Sequence, residues 1–251
     1  MTLVVCKTAS ATQGETRTMN NRAVRLFDRV ARHALTQSPT LRREYGDSFD
    51  LMEISFLKAA YDSAEHYEEY FLTSKAFDSD LNLMSAAVSR ANPTGLFLEF
   101  GVASGRTITH LASHIKTPIY GFDSFEGLPE DWRTGFGKGF FSGSLPPVPA
   151  NVSLIKGWFN ETLPVFLSQH EGNVSFLHVD CDLYSSTKCI FDLLGDRISK
   201  GTIIQFDEYW NYPAWKQHEY RAFEELKSAR HISCKPIGFV PTHQQVAFIV
   251  E

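Results

Sequence analysis

Six carboxylates of this chain stand where short apolar runs end. Leu96-Phe97-Leu98 runs into Glu99, and Ile119 to Phe122 runs into Asp123. Val174 to Val179 runs into Asp180-Cys181-Asp182, and Thr202 to Phe206 runs into Asp207-Glu208. Runs of this kind suit strands covered on both faces, and open parallel sheets gather their ligands outside the carboxyl ends of the strands. Glu99, Asp123, Asp180, Asp182, Asp207 and Glu208 therefore converge on one rim, which is not the pattern of a solvated face. Such a rim suits the activation of a hydroxyl. An alcohol is a poor nucleophile until its proton leaves; a carboxylate takes the proton, and a divalent cation lowers the hydroxyl's pKa and orients it. Hard oxygen ligands, with no His or Cys among them, favour Mg²⁺, with Mn²⁺ or Ca²⁺ as alternatives. Asp180 and Asp182, two apart, share a face if the strand continues. Asp207 and Glu208 converge only if the strand has ended. Plainer roles are open to two of them: Asp207 could cap a turn, and Asp182 could N-cap a helix starting near Ser185.

What would bring a reactant to that rim is set by the turn after the first run. Glu99-Phe100-Gly101-Val102-Ala103-Ser104-Gly105 has the spelling E-x-G-x-x-x-G. Gly101 and Gly105 let backbone approach a ligand without an intervening Cβ. Ile108, Leu111, Ala112 and Ile115 then recur at helical spacing, so the turn feeds a helix. A dinucleotide site prefers G-x-G-x-x-G, with its pyrophosphate on the helix dipole. Position 103 is alanine, and Glu99 would repel a pyrophosphate but suits a cationic ammonium and sulfonium. The turn thus points to S-adenosylmethionine rather than a nicotinamide cofactor. Asp123 sits where a carboxylate accepts from ribose hydroxyls. A nicotinamide-dependent dehydrogenase would also want Asp123, and it is the nearest enzymatic alternative. A serine hydrolase needs G-x-S-x-G, and here Gly101-Val102-Ala103-Ser104-Gly105 is one place off. A catalytically inactive cofactor-binding scaffold is the non-enzymatic alternative; it has no need of Asp180, Asp182, Asp207 and Glu208, all of which are present.

The stretches FLEFGVASGRT, YGFDSFEGLPEDW, GFGKGFFSG, IKGWFNETLP, FLHVDCDLYSSTK and GTIIQFDEYW together resemble class I S-adenosylmethionine-dependent methyltransferases. More narrowly, they resemble the macrocin O-methyltransferase family of sugar methylases. FDSFEGLP, GWFNETLP and VDCDLYSST are the narrow markers, and the match runs from Leu96 to Trp210. The resemblance implies a Rossmann-like α/β fold: a seven-stranded, mostly parallel sheet with an antiparallel edge strand, preceded by helices that form part of a lid. It places Asp180, Asp207 and Glu208 at the metal positions and Asp182 at the general-base position. The family usually has Asp where this chain has Glu208. By the same logic Glu99, Gly101, Ala103, Ser104, Gly105 and Thr107 surround the methionine end of the cofactor, with Asp180 near it; Ser104 and Thr107 could equally be plain helix-start residues. Asp123 takes the ribose, and Ser124 and Phe125 line the adenine side. Trp158 and Phe159 either flank the adenine ring or belong to the core. The acceptor implied is a small molecule with a hydroxyl, in the family a sugar on a natural product, and self-association into a homo-oligomer is a further implication.

The remaining elements fit one α/β core, residues 91–251, behind an N-terminal arm and helical lid region, residues 1–90. Thr8 to Asn21 is polar and reads as a loose arm. Val24, Phe27, Val30, Ala31 and Ala34 mark an amphipathic helix closed by Pro39. Further helices are expected over 50–71 and 81–88. Tyr61, Tyr67 and Tyr70 at helical spacing read as core before lid. Val152 to Ile155 is a further strand, and Gln245 to Val250 suits an antiparallel edge. The segment from Glu130 to Pro149, rich in Gly, Phe and Pro, reads as a loop over a site. His178, inside an apolar run, reads as a satisfied core histidine, and His218 is a weaker alternative base. A net charge of −5 argues against a nucleic-acid footprint. Four scattered cysteines without a C-x-x-C pair suggest neither zinc nor a disulfide framework, and a reducing cytoplasm is the expected location. No apolar run approaches the ~20 residues of a membrane span, and Leu3 to Cys6 is too short for a signal segment.

Overall fold

Buried on both faces, the apolar runs become parallel strands. In the computed structural model, which describes residues 49–251, β2 (Leu96–Phe100), β3 (Ile119–Asp123), β4 (Val152–Lys156), β5 (Val174–Val179) and β6 (Ile203–Phe206) pair in parallel. Residues 1–54 and 55–251 form separate units, and the sheet belongs to the second. The expected arm over 8–21 and the helix over 24–34 lie outside the described residues.

The sheet has the order β1-β7-β8-β6-β5-β2-β3-β4, where β1 is Lys75–Ala76, β7 is Cys234–Phe239 and β8 is Val246–Val250. It is the Rossmann-like fold expected, with eight strands in place of seven because β1 adds a two-residue ladder beside β7. Gln245 to Val250 was expected at the edge. Its strand, β8, is instead interior, antiparallel to both β6 and β7. The strand that displaces it carries Pro236 and Gly238, residues that speak against a strand, and its register shifts between them.

Alternation along the strands divides the core in two. Phe97, Phe176, Ile203 and Ala247 meet α2 (Asp80–Val88) and α3 (Arg106–His114) on one face; Leu98, Leu177, Ile204 and Phe248 meet α1 (Leu51–Tyr70), α4 (Phe159–Gln169), α5 (Tyr184–Leu194) and α6 (Glu219–Arg230) on the other. α1 and α2 fulfil the expectation over 50–71 and 81–88, and Ser79 caps α2 by accepting from the Asn82 N–H. Chain order runs outward from β2 to β4 on one side and from β5 to β6 on the other. The reversal falls between β2 and β5, and it is there that this class of sheet opens a crevice.

Candidate active site

A cavity of about 600 Å³ occupies that crevice. Gly101 and Ala103 line it from the turn after β2, Asp123 from the end of β3, and Asp180, Asp182, Asp207 and Glu208 from the ends of β5 and β6. Ser124, Trp158 and Phe159 line it as well. Glu99, Ser104, Gly105, Thr107 and Phe125 do not.

The turn is built by close approach. Gly101 has φ +92°, and a Cβ there would lie 1.6 Å from the Asp180 carbonyl oxygen, so the site admits only glycine. Asp123 ties this turn to β3. Its Oδ2 accepts from the Val102 and Ala103 N–H groups at 2.8 Å each, and its Oδ1 from the Phe125 N–H at 2.7 Å. An ionised carboxylate offers roughly four acceptor positions, so capacity remains for a ligand hydroxyl. Glu99 is fully buried beneath the turn. It accepts from the Thr107 hydroxyl at 3.0 Å and pairs with His178 Nδ1 at 3.0 Å. These two residues act on the turn from behind, because residues 97, 99, 176 and 178 share the α2–α3 face of the sheet. His178 is a core histidine satisfied on one nitrogen only: Nε2 is buried without a hydrogen-bond partner. Burial disfavours its charged form, but the bond to Glu99 and the charges of Glu99 and Asp207 outweigh this and raise its pKa.

At the rim the carboxylates are crowded and poorly satisfied. β5 ends at Val179, and Asp182 has φ +64°, so Asp180 and Asp182 reach one cavity through a loop rather than through strand alternation. Nor does Asp182 cap α5: that position is Leu183, and no side chain caps the helix. A non-glycine residue held left-handed costs about 1–3 kcal/mol, a strain that gathers at functional sites. Ala103 (φ 43°) and Phe125 (φ 56°) beside the crevice share it. Burial, then the Asp207 charge, pushes Asp182 up to about 7, with Arg133 opposing. Burial followed by Asp207, Asp182 and other acids raises Asp180 well above the carboxylate range. Glu208 rises for the same reasons. Asp207 Oδ1 and Glu208 Oε2 are buried without a hydrogen-bond partner.

One residue that holds the rim together was not anticipated. Glu219, fully buried, accepts from the Cys181 and Asp182 N–H groups through Oε1 (3.3 and 3.2 Å) and from the Glu208 N–H through Oε2 (3.2 Å). It thereby joins the loops after β5 and β6. The signal was present: Glu219, Ala222, Phe223 and Leu226 share one helical stripe, so an acid stood on an apolar face.

The donor set fits a divalent cation. Asp180, Asp207 and His178 each offer a ligand atom, all within 4.8 Å of one another, and the unpartnered Asp207 and Glu208 oxygens lack compensation without a cation. The expected trio was Asp180, Asp207 and Glu208. Among the described residues it is His178, not Glu208, that completes a close triad.

The aromatic expectations divide. Phe159 lines the cavity while meeting Phe100 edge-on at 5.2 Å, so it serves core and site together. Tyr67 packs on Phe239 at 5.2 Å, whereas Tyr61 and Tyr70 are each 55% exposed. Phe141, from the loop over 130–149, lines the cavity, and Glu130 at its base accepts from the Ser185 hydroxyl at 2.6 Å. His218 stands outside the cavity lining, its pKa lowered by burial and Arg133. Among the described residues no helix is long and apolar enough to cross a membrane.

Residues 98–209 match the family model described as a methyltransferase domain. They contain every element of the rim and the turn except Glu219. A curated relative from Streptomyces olivaceus, an 8-demethyl-8-(2,3-dimethoxy-alpha-L-rhamnosyl)-tetracenomycin-C 4'-O-methyltransferase, is 31% identical over 107 residues, covering 35% of this chain and 40% of that protein. The match thus spans about two fifths of the relative's length. The crystal structure of CalS11, a calicheamicin methyltransferase, aligns over 96% of this chain and 98% of its own at 21% identity and a TM-score of 0.55. The structure of the O-methyltransferase NovP aligns over 67% of this chain and 78% of its own at 20% identity and a TM-score of 0.52. Both share the fold. The fold expected from the motifs is the one observed, and the match over residues 98–209 agrees with a methyltransferase resemblance for that stretch.

Proposed function

We propose that this chain is an S-adenosylmethionine-dependent O-methyltransferase acting on a hydroxyl of a small molecule, with a sugar hydroxyl on a natural product as the acceptor class. The observation that carries the reading is Asp182, a buried carboxylate in left-handed backbone facing the same cavity as Gly101, Ala103 and Asp123. Asp182 takes the acceptor hydroxyl's proton; S-adenosylmethionine, when bound, would supply the methyl group, the O–C bond forming as the S–C bond breaks, with S-adenosylhomocysteine as the leaving product. Asp123, with its remaining lone pair, takes a ribose hydroxyl, and the wall of Trp158 and Phe159 takes the adenine. Asp180, Asp207 and either His178 or Glu208 would hold a divalent cation, Mg²⁺ for an all-oxygen set. When bound, such a cation lowers the pKa of a coordinated hydroxyl and fixes its orientation. Glu219 sets the spacing of the two acid loops, and much of the acceleration comes from holding oxygen and methyl in line. The sugar acceptor is suggested by the S. olivaceus relative, whose name specifies 4'-O-methylation of a rhamnosyl compound.

The test is calorimetric titration of the purified chain with S-adenosylhomocysteine, with and without Mg²⁺, followed by a methylation screen of glycosides and phenols. Micromolar binding and methyl transfer to a glycoside hydroxyl are expected. Absence of binding under both conditions removes the reading.

A further inference from the structure

Beside the acid rim stands a cation that the rim does not use. The Arg133 guanidinium lies 4.0 Å from the Trp132 ring centre, 4.7 Å from Phe136 and 5.2 Å from Tyr212. Its charge is felt at Asp182, Tyr212 and His218. Arg133 makes no ion pair within 4.0 Å among the described residues, and unlike an exposed cation it has its Nε buried. Aromatic faces position this guanidinium and hold it off the acids, which leaves its hydrogen-bonding edge uncommitted.

Its surroundings have a surplus of donors. Arg133 Nε and Trp132 Nε1 are buried with no acceptor, and His218 Nδ1 is buried with no partner. The His218 ring centre is 6.3 Å from that of Trp132 and 6.2 Å from that of Tyr212, so the three orphaned nitrogens belong to side chains that neighbour one another. Unsatisfied buried donors cost about 1–3 kcal/mol each, and several in one place call for an explanation such as a missing ligand. Trp132, Arg133, Tyr212 and His218 stand behind the cavity lining rather than in it, next to it through Leu128 and Pro129 of the wall and through the Tyr212 hydroxyl, which donates to the Glu208 carbonyl at 3.3 Å.

We propose that Arg133, with Trp132 Nε1 and His218 Nδ1, forms an acceptor-docking subsite that binds an oxyanion, a phosphate ester or a carboxylate, carried by the substrate. A neutral polyol offers donors as well as acceptors, whereas every unsatisfied group here except the imidazole nitrogen is donor-only. A planar guanidinium beside further N–H groups matches the geometry of a carboxylate or phosphate. The subsite would anchor the acceptor beside the loop of Asp182, where the Arg133 charge is felt. Its role in turnover rests on the methyltransferase reading; the anion site itself does not.

The test is calorimetry on chelator-treated protein, with and without S-adenosylhomocysteine, titrated separately with methyl phosphate, acetate and the uncharged methyl glucoside. One saturable anion per chain is expected, methyl phosphate or acetate according to the source, with methyl glucoside at least tenfold weaker. Arg133→Ala should lose tenfold or more in anion affinity, Arg133→Lys less, and Trp132→Phe a few-fold, with S-adenosylhomocysteine affinity unchanged. Anion binding equal in wild type and Arg133→Ala, or no anion binding by a folded wild type, overturns the subsite. Loss of S-adenosylhomocysteine binding alone would overturn the methyltransferase reading while leaving the anion site standing.

Discussion

The turn after β2 and the rim after β5 and β6 border one cavity, yet they treat their carboxylates in opposite ways. At the turn, Asp123 accepts three backbone N–H groups, and Glu99 is matched by Thr107 and His178. At the rim, oxygens of Asp207 and Glu208 are buried without partners, and Asp182 is held in strained backbone. The turn is completed by folding. The rim carries a cost that protonation or a ligand offsets, and groups whose protonation is shifted in this way are where chemistry is to be sought. The comparison predicts that rim substitutions spare cofactor affinity and remove turnover, while turn substitutions act on folding and cofactor together.

The largest effect should come from Asp182→Asn. Asparagine tolerates the left-handed backbone, so the fold survives, and loss of the base lowers turnover by about 10²–10⁴-fold. Methyl-transfer rates and S-adenosylhomocysteine calorimetry on one preparation check this; full turnover would remove Asp182 from the chemistry. Next is Gly101→Ala, which forces a Cβ into the Asp180 carbonyl at φ +92°. A loss of about 3 kcal/mol or more is expected in urea unfolding, with weakened S-adenosylhomocysteine binding. A stable variant with normal affinity would dissolve the claimed contact between turn and rim.

Glu219→Gln sharpens the comparison from the supporting side. The amide keeps one acceptor oxygen, so it can hold the N–H groups of Cys181 and Asp182 or that of Glu208, not both sets. Turnover should fall about tenfold (roughly 1.4 kcal/mol) with little change in cofactor affinity. Glu219→Ala, which leaves three buried N–H groups unmatched, should also destabilise by about 2–3 kcal/mol. A Glu219→Gln protein with weakened cofactor binding and unaltered turnover would contradict the division of labour.

The same division explains what could be read from the sequence. β2, β5 and β6 are buried at every position, so their apolar runs and the acids that end them stood out without knowledge of the partners. The turn was legible because glycine spacing is local. What was hidden is what contacts across the chain decide. Glu99 faces His178, a residue 79 positions away, so its buried partnership could not be separated from a cofactor contact. Asp182 sits at the centre of a tight turn, with the Leu183 N–H donating to the Cys181 carbonyl at 2.6 Å, and its own N–H is tied to Glu219, 37 residues on; no strand alternation could reveal either. β7 escaped because Pro236 and Gly238 mask a strand that its neighbours enforce through a register shift.

The smallest expected effect concerns what stands behind the rim. Tyr209, next in the chain after Glu208, packs among rings around His66, whose Nε2 lies 3.3 Å from the Tyr209 hydroxyl. The Asn211 N–H donates to Ser63 of the same helix at 2.9 Å. Burial pulls the His66 pKa down to about 4, against the opposing charge of Glu69. In the unfolded chain the imidazole titrates near 6.5. Between these values the unfolded chain binds more protons, so this contribution is fully present above pH 6.5 and is lost as pH falls toward 4. The unscreened limit is about 3.4 kcal/mol, and the half-buried position reduces it to about 1–2 kcal/mol. Rim carboxylates with raised pKa values act in the opposite sense, since protonation relieves their crowding, so total stability against pH mixes the two. The difference between wild type and His66→Gln isolates the histidine: wild type should lose about 1–2 kcal/mol more than the variant between pH 7 and pH 4.5 in urea unfolding. Parallel curves would mean that the ring cluster opens to solvent, and that the rim is not braced from behind by α1.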